Sequence, residues 1–237
     1  MKVAICIDYD NLEKIHKMEG ILSVATKSLI KLSEIIDSPI RNCEIRLYGG
    51  WYEGEARSKL SEDLAANLLN DFPAVIRAQL RNGEVSKIVT TAELAFSLLE
   101  EPAHYLFNTY RKKGKPSNIR VTSKDDAGCK SETCLLPLAR KLLQKGSCPA
   151  VGCSTEDNSL IYRHEQKIVD TMLTCDLMYL GTQDYHHVML ISADDDFLPP
   201  LRTLLLRGSK VIRMHPKQSA ANQPIIAAGK TLLEMVL

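Results

Sequence analysis

From its amino end onward, the chain alternates short, almost wholly apolar runs with longer stretches in which apolar residues recur every three or four positions. The short runs are KVAICID at 2–8, CEIRLYGG at 43–50, HVMLISAD at 187–194 and SKVIRMH at 209–215. Because their apolar character is continuous rather than alternating, they read as strands buried on both faces. Helical spacing runs through 21–36, 56–72, 163–180 and 197–208. Strands alternating with helices of this length predict an α/β fold with a mostly parallel sheet and helices on both faces. In the last helix Leu201, Leu204 and Leu205 share one side, and Gly208 stops it. Pro199 and Pro200 fit only a first turn, which places its start at about Asp196 or Phe197.

The middle of the chain departs from this rhythm. Asn82-Gly83 between two β-rich runs is a hairpin signal, and a polar, basic, cysteine-bearing stretch follows it. We expect one domain over 1–237 with an insertion at about 75–160, made of the hairpin, a basic segment and a four-cysteine element at 129–153, rejoining the core near Tyr162. With 237 residues, 45% apolar and 25% charged, the chain can bury a large core. It contains no run of about 18 apolar residues for a bilayer, and Met1-Lys2 leads into a strand rather than a leader, so a soluble cytoplasmic protein is expected. Seven cysteines in such a compartment suit metal binding or free thiols better than disulfides.

A net charge of +1 predicts nothing, but its distribution does. Arg111 to Lys145 holds ten Lys/Arg against Asp125, Asp126 and Glu132, a local +7 that leaves the remainder at −6. The acidic remainder includes Asp8 and Asp10 at the end of the first run, Asp170 and Asp176 on the 163–180 helix, and Asp194, Asp195 and Asp196 after the third run. In open parallel sheets the carboxyl ends of strands present groups to ligands, and if Asp170 lies near the upper end of its helix the fold gathers Asp8, Asp170, Asp194 and Asp196 around one point. Clustered carboxylates stay ionised only beside a cation, and all-oxygen sites suit Mg²⁺ or Mn²⁺. Phosphodiester hydrolysis is the chemistry such ions support. Asp10 is expected to cap a turn and Asp195 to face water at the helix start. Asp176, six residues and about 240° from Asp170 on a helix, is expected to be an ion-pair partner instead of a ligand. The strand-one pattern also matches the start of haloacid-dehalogenase-like phosphatases, with Asp8 as nucleophile and Asp10 as acid, although Asn11-Leu12 departs from that motif.

Together, ICIDYDN at the start, EQKIVDTMLTCDL on the late helix and LISADDDFLPPLRTLLLRGSKV near the end resemble the three blocks of NYN domains, relatives of the PIN-like nucleases. The resemblance implies a Rossmann-like three-layer α/β/α fold and a metal-dependent nuclease acting mainly on RNA. Its acidic residues fall on Asp8, Asp170, Asp194 and Asp196, and its polar residue after the first strand falls on Asn11. This chain has SADDD where the family usually has SGDSD, and KIVD for KGVD, so the backbone is less permissive while the carboxylates remain.

Cys129, Cys134, Cys148 and Cys153 form C-x4-C, thirteen residues, C-x4-C, two thiolate pairs that suit a structural Zn²⁺. Cys6, Cys43 and Cys175 lie in apolar runs and are expected in the core. Arg111, Lys112, Lys113, Lys115 and Arg120 are candidate phosphate contacts, and Lys167 or His164 is a candidate for the scissile phosphate. Tyr105, Phe107 and Tyr110 suit either base stacking or packing, and Trp51 and Tyr52 are expected in the cleft wall. The function expected is a divalent-metal-dependent endoribonuclease on single-stranded or structured RNA. A non-catalytic RNA-binding module is the alternative.

Overall fold

The computed structural model describes residues 1–113, 119–128, 130–217, 225–227 and 229–237, and within these it gives no side chain for residues 112, 113, 159, 163 and 164. Lys115 and Cys129 therefore lie outside the described residues, as do the side chains of Lys112, Lys113 and His164. Two compact units are distinguished: Met1–Thr109 with Gln166–Leu237, and Tyr110–Glu165.

The larger unit opens with β1 (Lys2–Asp8), α1 (Lys14–Glu19), α2 (Ile21–Ser33) and β2 (Asn42–Tyr48). A short hairpin of β3 (Tyr52–Glu53) and β4 (Ala56–Arg57) leads to α3 (Lys59–Asp71), β5 (Ala74–Gln79) and β6 (Val85–Leu94). Ser58 caps α3, its hydroxyl accepting from the Ser61 N–H. The smaller unit contains β7 (Tyr110–Lys113), α4 (Leu136–Lys145), α5 (Asp157–Leu160) and all of β8 (Arg163–Gln166) but its last residue. The chain then returns through α6 (Val169–Leu180), β9 (His187–Ile191), a 3₁₀ turn at Asp195–Phe197, α7 (Leu198–Leu206) and β10 (Val211–His215). It closes with β11 (Ile226–Ala227), β12 (Lys230–Thr231) and β13 (Leu233–Val236).

Seven strands form the main sheet in the order β13-β10-β9-β1-β2-β6-β5, parallel throughout except for β5. Alternate residues of β1 feed two cores. Val3, Ile5 and Ile7 join Leu29 and Leu32 of α2 and Leu64 and Leu68 of α3. Ala4 and Cys6 join Met172, Leu173 and Leu177 of α6 with Leu201 and Leu204 of α7. Helices thus cover both faces, and each fully buried leucine contributes about 2 kcal/mol. The mixed α/β fold with a mostly parallel sheet is as the sequence predicts. Among the described residues no helix is long and apolar enough to cross a membrane.

Several local expectations are corrected. The Asn82-Gly83 hairpin forms, but β5 and β6 are strands of the main sheet, and the separate unit begins at Tyr110. The helix predicted over 163–180 begins only at Val169, because Ile168 takes a left-handed φ of 59° that ends the preceding strand segment. Cys6 and Cys43 are buried, whereas Cys175 is exposed on α6, on the side opposite the core. Trp51 is no cleft wall: it is fully buried, its indole N–H donates to the Leu47 carbonyl at 3.1 Å, and a Cβ on Gly49 would meet its ring at 2.6 Å. Only glycine at 49 lets the backbone approach that ring.

Candidate metal centre

Successive strands from β1 to β6 move one way across the sheet, and β9, β10 and β13 move the other way. The reversal lies between β1 and β9, and the crevice at the carboxyl ends of such a pair is where open α/β sheets receive ligands. Asp8 is the last residue of β1, and Asp194 follows β9 by three residues. Parallel register sets Ile7 opposite Ile191, so both aspartates leave the sheet at the same level.

Asp8 is only 4% exposed. Its Oδ2 accepts hydrogen bonds from the Asn11 side-chain amide and, at 3.0 Å, from the Ser192 hydroxyl. Loss of hydration pushes its carboxyl above the usual range, and the Ser192 and Asn11 hydrogen bonds oppose that shift. Ser192 also accepts from the Asp194 N–H at 3.1 Å, so one hydroxyl fixes both aspartates. Asp194 caps the 3₁₀ turn, accepting from the Asp196 N–H at 2.9 Å.

Asp170 arrives from another direction, in the first turn of α6. Its carboxyl is pushed up by desolvation and then by the negative charges of Asp8, Asp194 and Asp196. The four aspartates singled out in the sequence therefore share one field. Asp10 joins them. Its carboxyl accepts from the Gln166 side-chain amide and is raised by desolvation and by Asp170 against the pull of Lys17, so it is no turn cap. Among the described residues no three acidic, His or Cys side chains form a ready-made ion cage.

Asp195 faces water at the helix start, as expected, its side chain 66% exposed, and it gains a partner its local sequence did not indicate: its Oδ1 accepts from the guanidinium of Arg213 at 2.9 Å. Arg213, on β10, is fully buried, and its Nε donates to the Ser192 carbonyl at 3.2 Å. A charged residue inside the otherwise apolar run SKVIRMH was the sequence signal for this clamp. Ser192 and Gln166 carried no comparable signal. Asp176 is the ion-pair partner expected: buried, it accepts from the Tyr48 hydroxyl and the Leu99 N–H, both at 2.8 Å, and lies 3.3 Å from Arg46 Nε.

Of the candidate substrate contacts, Asn11 is engaged with Asp8, and Lys167 stands just before α6 with its N–H donating to the Thr109 carbonyl at 3.0 Å. Arg111 and Arg120 are exposed in the smaller unit. Cys134, Cys148 and Cys153 belong to that unit, where hydrogen bonding with Thr155 and then with Cys148 lowers the pKa of the Cys153 thiol.

No curated protein and no solved structure matches the chain. The block with Asp8 lies outside the one family match, and the sheet is what unites it with the others, through β1 beside β9. That match, to the NYN domain, covers residues 137–233, so the stretch that carries Asp170, Asp194 and Asp196 is similar to the family whose blocks its sequence resembles.

Proposed function

We propose that this chain is a divalent-metal-dependent endoribonuclease of PIN-like fold, acting on RNA in the cytoplasm. The observation that supports this most is the carboxyl of Asp170, held in the field of Asp8, Asp194 and Asp196 at the switch point of the sheet. An all-oxygen donor set with a buried member suits Mg²⁺ or Mn²⁺, with Asp8, Asp170, Asp194 and Asp196 as the residues that would hold it. Bound there, such an ion supplies an activated water and charge compensation at a phosphate. The chain's own part is orientation. Asn11 and Ser192 fix Asp8, the Asp194 cap fixes the 194–196 turn, and Arg213 anchors that turn through Asp195. Lys167, with Arg111, Lys112, Lys113 and Arg120, would meet the phosphate backbone, which gives affinity that falls with salt.

The test is a panel of RNA and DNA oligonucleotides incubated with Mn²⁺ and with EDTA. Internal cleavage of RNA only when Mn²⁺ is present is the expected result, and no cleavage, or cleavage indifferent to EDTA, overturns it. Salt-sensitive RNA binding without cutting is the outcome that the non-catalytic reading requires. Hydrolysis of an aryl phosphate dependent on Asp10 is what the phosphatase reading requires.

The proposal includes a structural Zn²⁺ on Cys129, Cys134, Cys148 and Cys153. Its support is physical. Among the described residues, the smaller unit buries no apolar side chain, and α4 has no buried residue at all. A segment without a core needs another source of order, which thiolate–zinc bonds provide. The thiols of Cys148 and Cys153 are hydrogen-bonded neighbours, and the Cys148 N–H donates to the Thr155 carbonyl at 2.9 Å, closing the loop between them. Reduced, purified protein is expected to carry about one zinc per chain and to lose helical circular dichroism when it is chelated. Metal-free protein with an unchanged spectrum would retire the site.

A further inference from the structure

The carboxyl rim of the sheet holds a second feature that the aspartate site leaves unused. β2 and β6 are neighbours, with Leu47 opposite Leu94, and the chain leaving each delivers a ring to the rim. Tyr52 and Phe96 meet at 5.5 Å between centroids. The segment after β6 adds Phe107, edge-on to Tyr52 at 4.9 Å, and Tyr105, 6.0 Å from Phe96. Tyr52 is buried beneath the group, whereas Tyr105 is 48% and Phe107 42% exposed.

Backbone contacts hold the exposed rings in place. Tyr105 bridges Ser97, the Leu106 N–H donates to the Phe96 carbonyl at 2.7 Å, and the Asn108 N–H donates to the Gly54 carbonyl at 2.9 Å. Rings fixed in this way lose little freedom when a ligand covers them. The guanidinium of Arg57 lies 5.1 Å over Phe96, and an open cleft of about 380 Å³ bordered by Phe96, Arg57, Leu69 and Phe72 adjoins the cluster.

We infer that Tyr105, Phe107 and Phe96 form a stacking platform for unpaired bases of single-stranded RNA, at the same rim as the aspartates. The inference rests on the ribonuclease reading and names the form of RNA that site takes. Neighbouring strands lie ~4.8 Å apart, so two strand steps from β1 to β6 put Phe96 ~10 Å from Asp8 along the rim. At ~3.4 Å per stacked nucleotide, that is a span of about three nucleotides. Glu53, Glu55, Glu100 and Glu101 lie in the flanking segments, so this surface offers ring faces, not phosphate-binding charge. Aromatic faces with an arginine plane are what unpaired bases stack on.

The experiment uses the full chain carrying Asp194→Asn, to prevent cutting, and an unstructured RNA with the fluorescent base 2-aminopurine at successive positions. Quenching is expected at one position about three nucleotides from the cleavage point mapped with the wild type. Phe107→Leu and Tyr105→Leu, which keep apolar bulk without a π-face, should each abolish that quenching and weaken the Kd about tenfold. The slope of log Kd against log salt should not change, because no phosphate contact is lost. Phe107→Trp should restore binding. Unchanged Kd and quenching in both leucine variants would overturn the platform, as would a reduced salt slope. A concentration-dependent dimer that Phe107→Leu dissolves without altering RNA binding would overturn it too, by giving the rings to a second copy. Quenching that survives in a protein that cuts no RNA retires the nuclease reading alone, and cleavage with quenching indifferent to both leucine variants retires the platform alone.

Discussion

Asp170→Asn is expected to cut RNA at least ~10²-fold more slowly, the scale of removing one group that serves developing charge, while making the metal-free protein more stable. Both effects have one origin. The carboxyl of Asp170 stands in the field of Asp8, Asp194 and Asp196, so without a cation the cluster holds like charges together at a cost. Two unit charges about 4 Å apart interact by ~1 kcal/mol in water and more in a less polar setting. Neutralising Asp170 removes the desolvation cost of its charge and its repulsion by Asp8, Asp194 and Asp196. It also gives up the favourable placement of an anion in the first turn of α6, worth about 0.3–1 kcal/mol. The balance favours the variant by ~1 kcal/mol. Thermal unfolding should therefore show a higher Tm for Asp170→Asn without metal and a smaller rise on adding Mn²⁺, since ligand-linked stability follows affinity for the folded state. Wild-type cleavage by the variant, or a Mn²⁺-induced shift as large as in the wild type, would show that Asp170 is not part of the site.

Arg213→Met should cost about 3–5 kcal/mol in urea unfolding, the range for breaking a buried pair by removing one partner. Arg213 has no exposure, and three groups depend on it: the Ser192 carbonyl at 3.2 Å, Asp195 at 2.9 Å and Glu234 at 3.5 Å. Asp195 can turn to water, but Glu234, on β13 and only 21% exposed, is left with His215 at 2.9 Å. Adding Glu234→Gln to Arg213→Met should recover part of the loss, because the uncompensated charge goes with it. Arg213→Lys should not restore wild-type stability, since a point charge cannot serve three acceptors as the planar fork does. A loss below ~1 kcal/mol for Arg213→Met would mean that the clamp contributes little.

The parts of this architecture that were legible in the sequence are those governed by local pattern. The strands at 2–8, 43–50, 187–194 and 209–215 were readable because both their faces are buried, and Leu201, Leu204 and Leu205 because they face one core. The strand-end rule pointed to Asp8, Asp194 and Asp196, and Asp170 was added on its expected place near the end of a helix. What pattern could not supply was long-range pairing. Asp195 faces water as its position suggested, but its partner Arg213 comes from the neighbouring strand and left no local sign. The helical period of 163–180 concealed the left-handed Ile168, a conformation imposed by tertiary context on a β-branched residue that disfavours it. Asn82-Gly83 announced a hairpin correctly, but nothing local said that its strands would extend the main sheet. Trp51 looked available for a ligand because only the folded chain shows it seated over Gly49.

The hydrogen bond from Ser192 to Asp8 joins positions 184 residues apart. Contacts of such sequence separation form late, after the loop between them has closed. During synthesis at about 5–20 residues per second, β1 emerges first and waits roughly 10–40 seconds for its neighbour β9. The acidic centre therefore cannot assemble until β9 has been made, and it is absent from any fragment cut between the two strands.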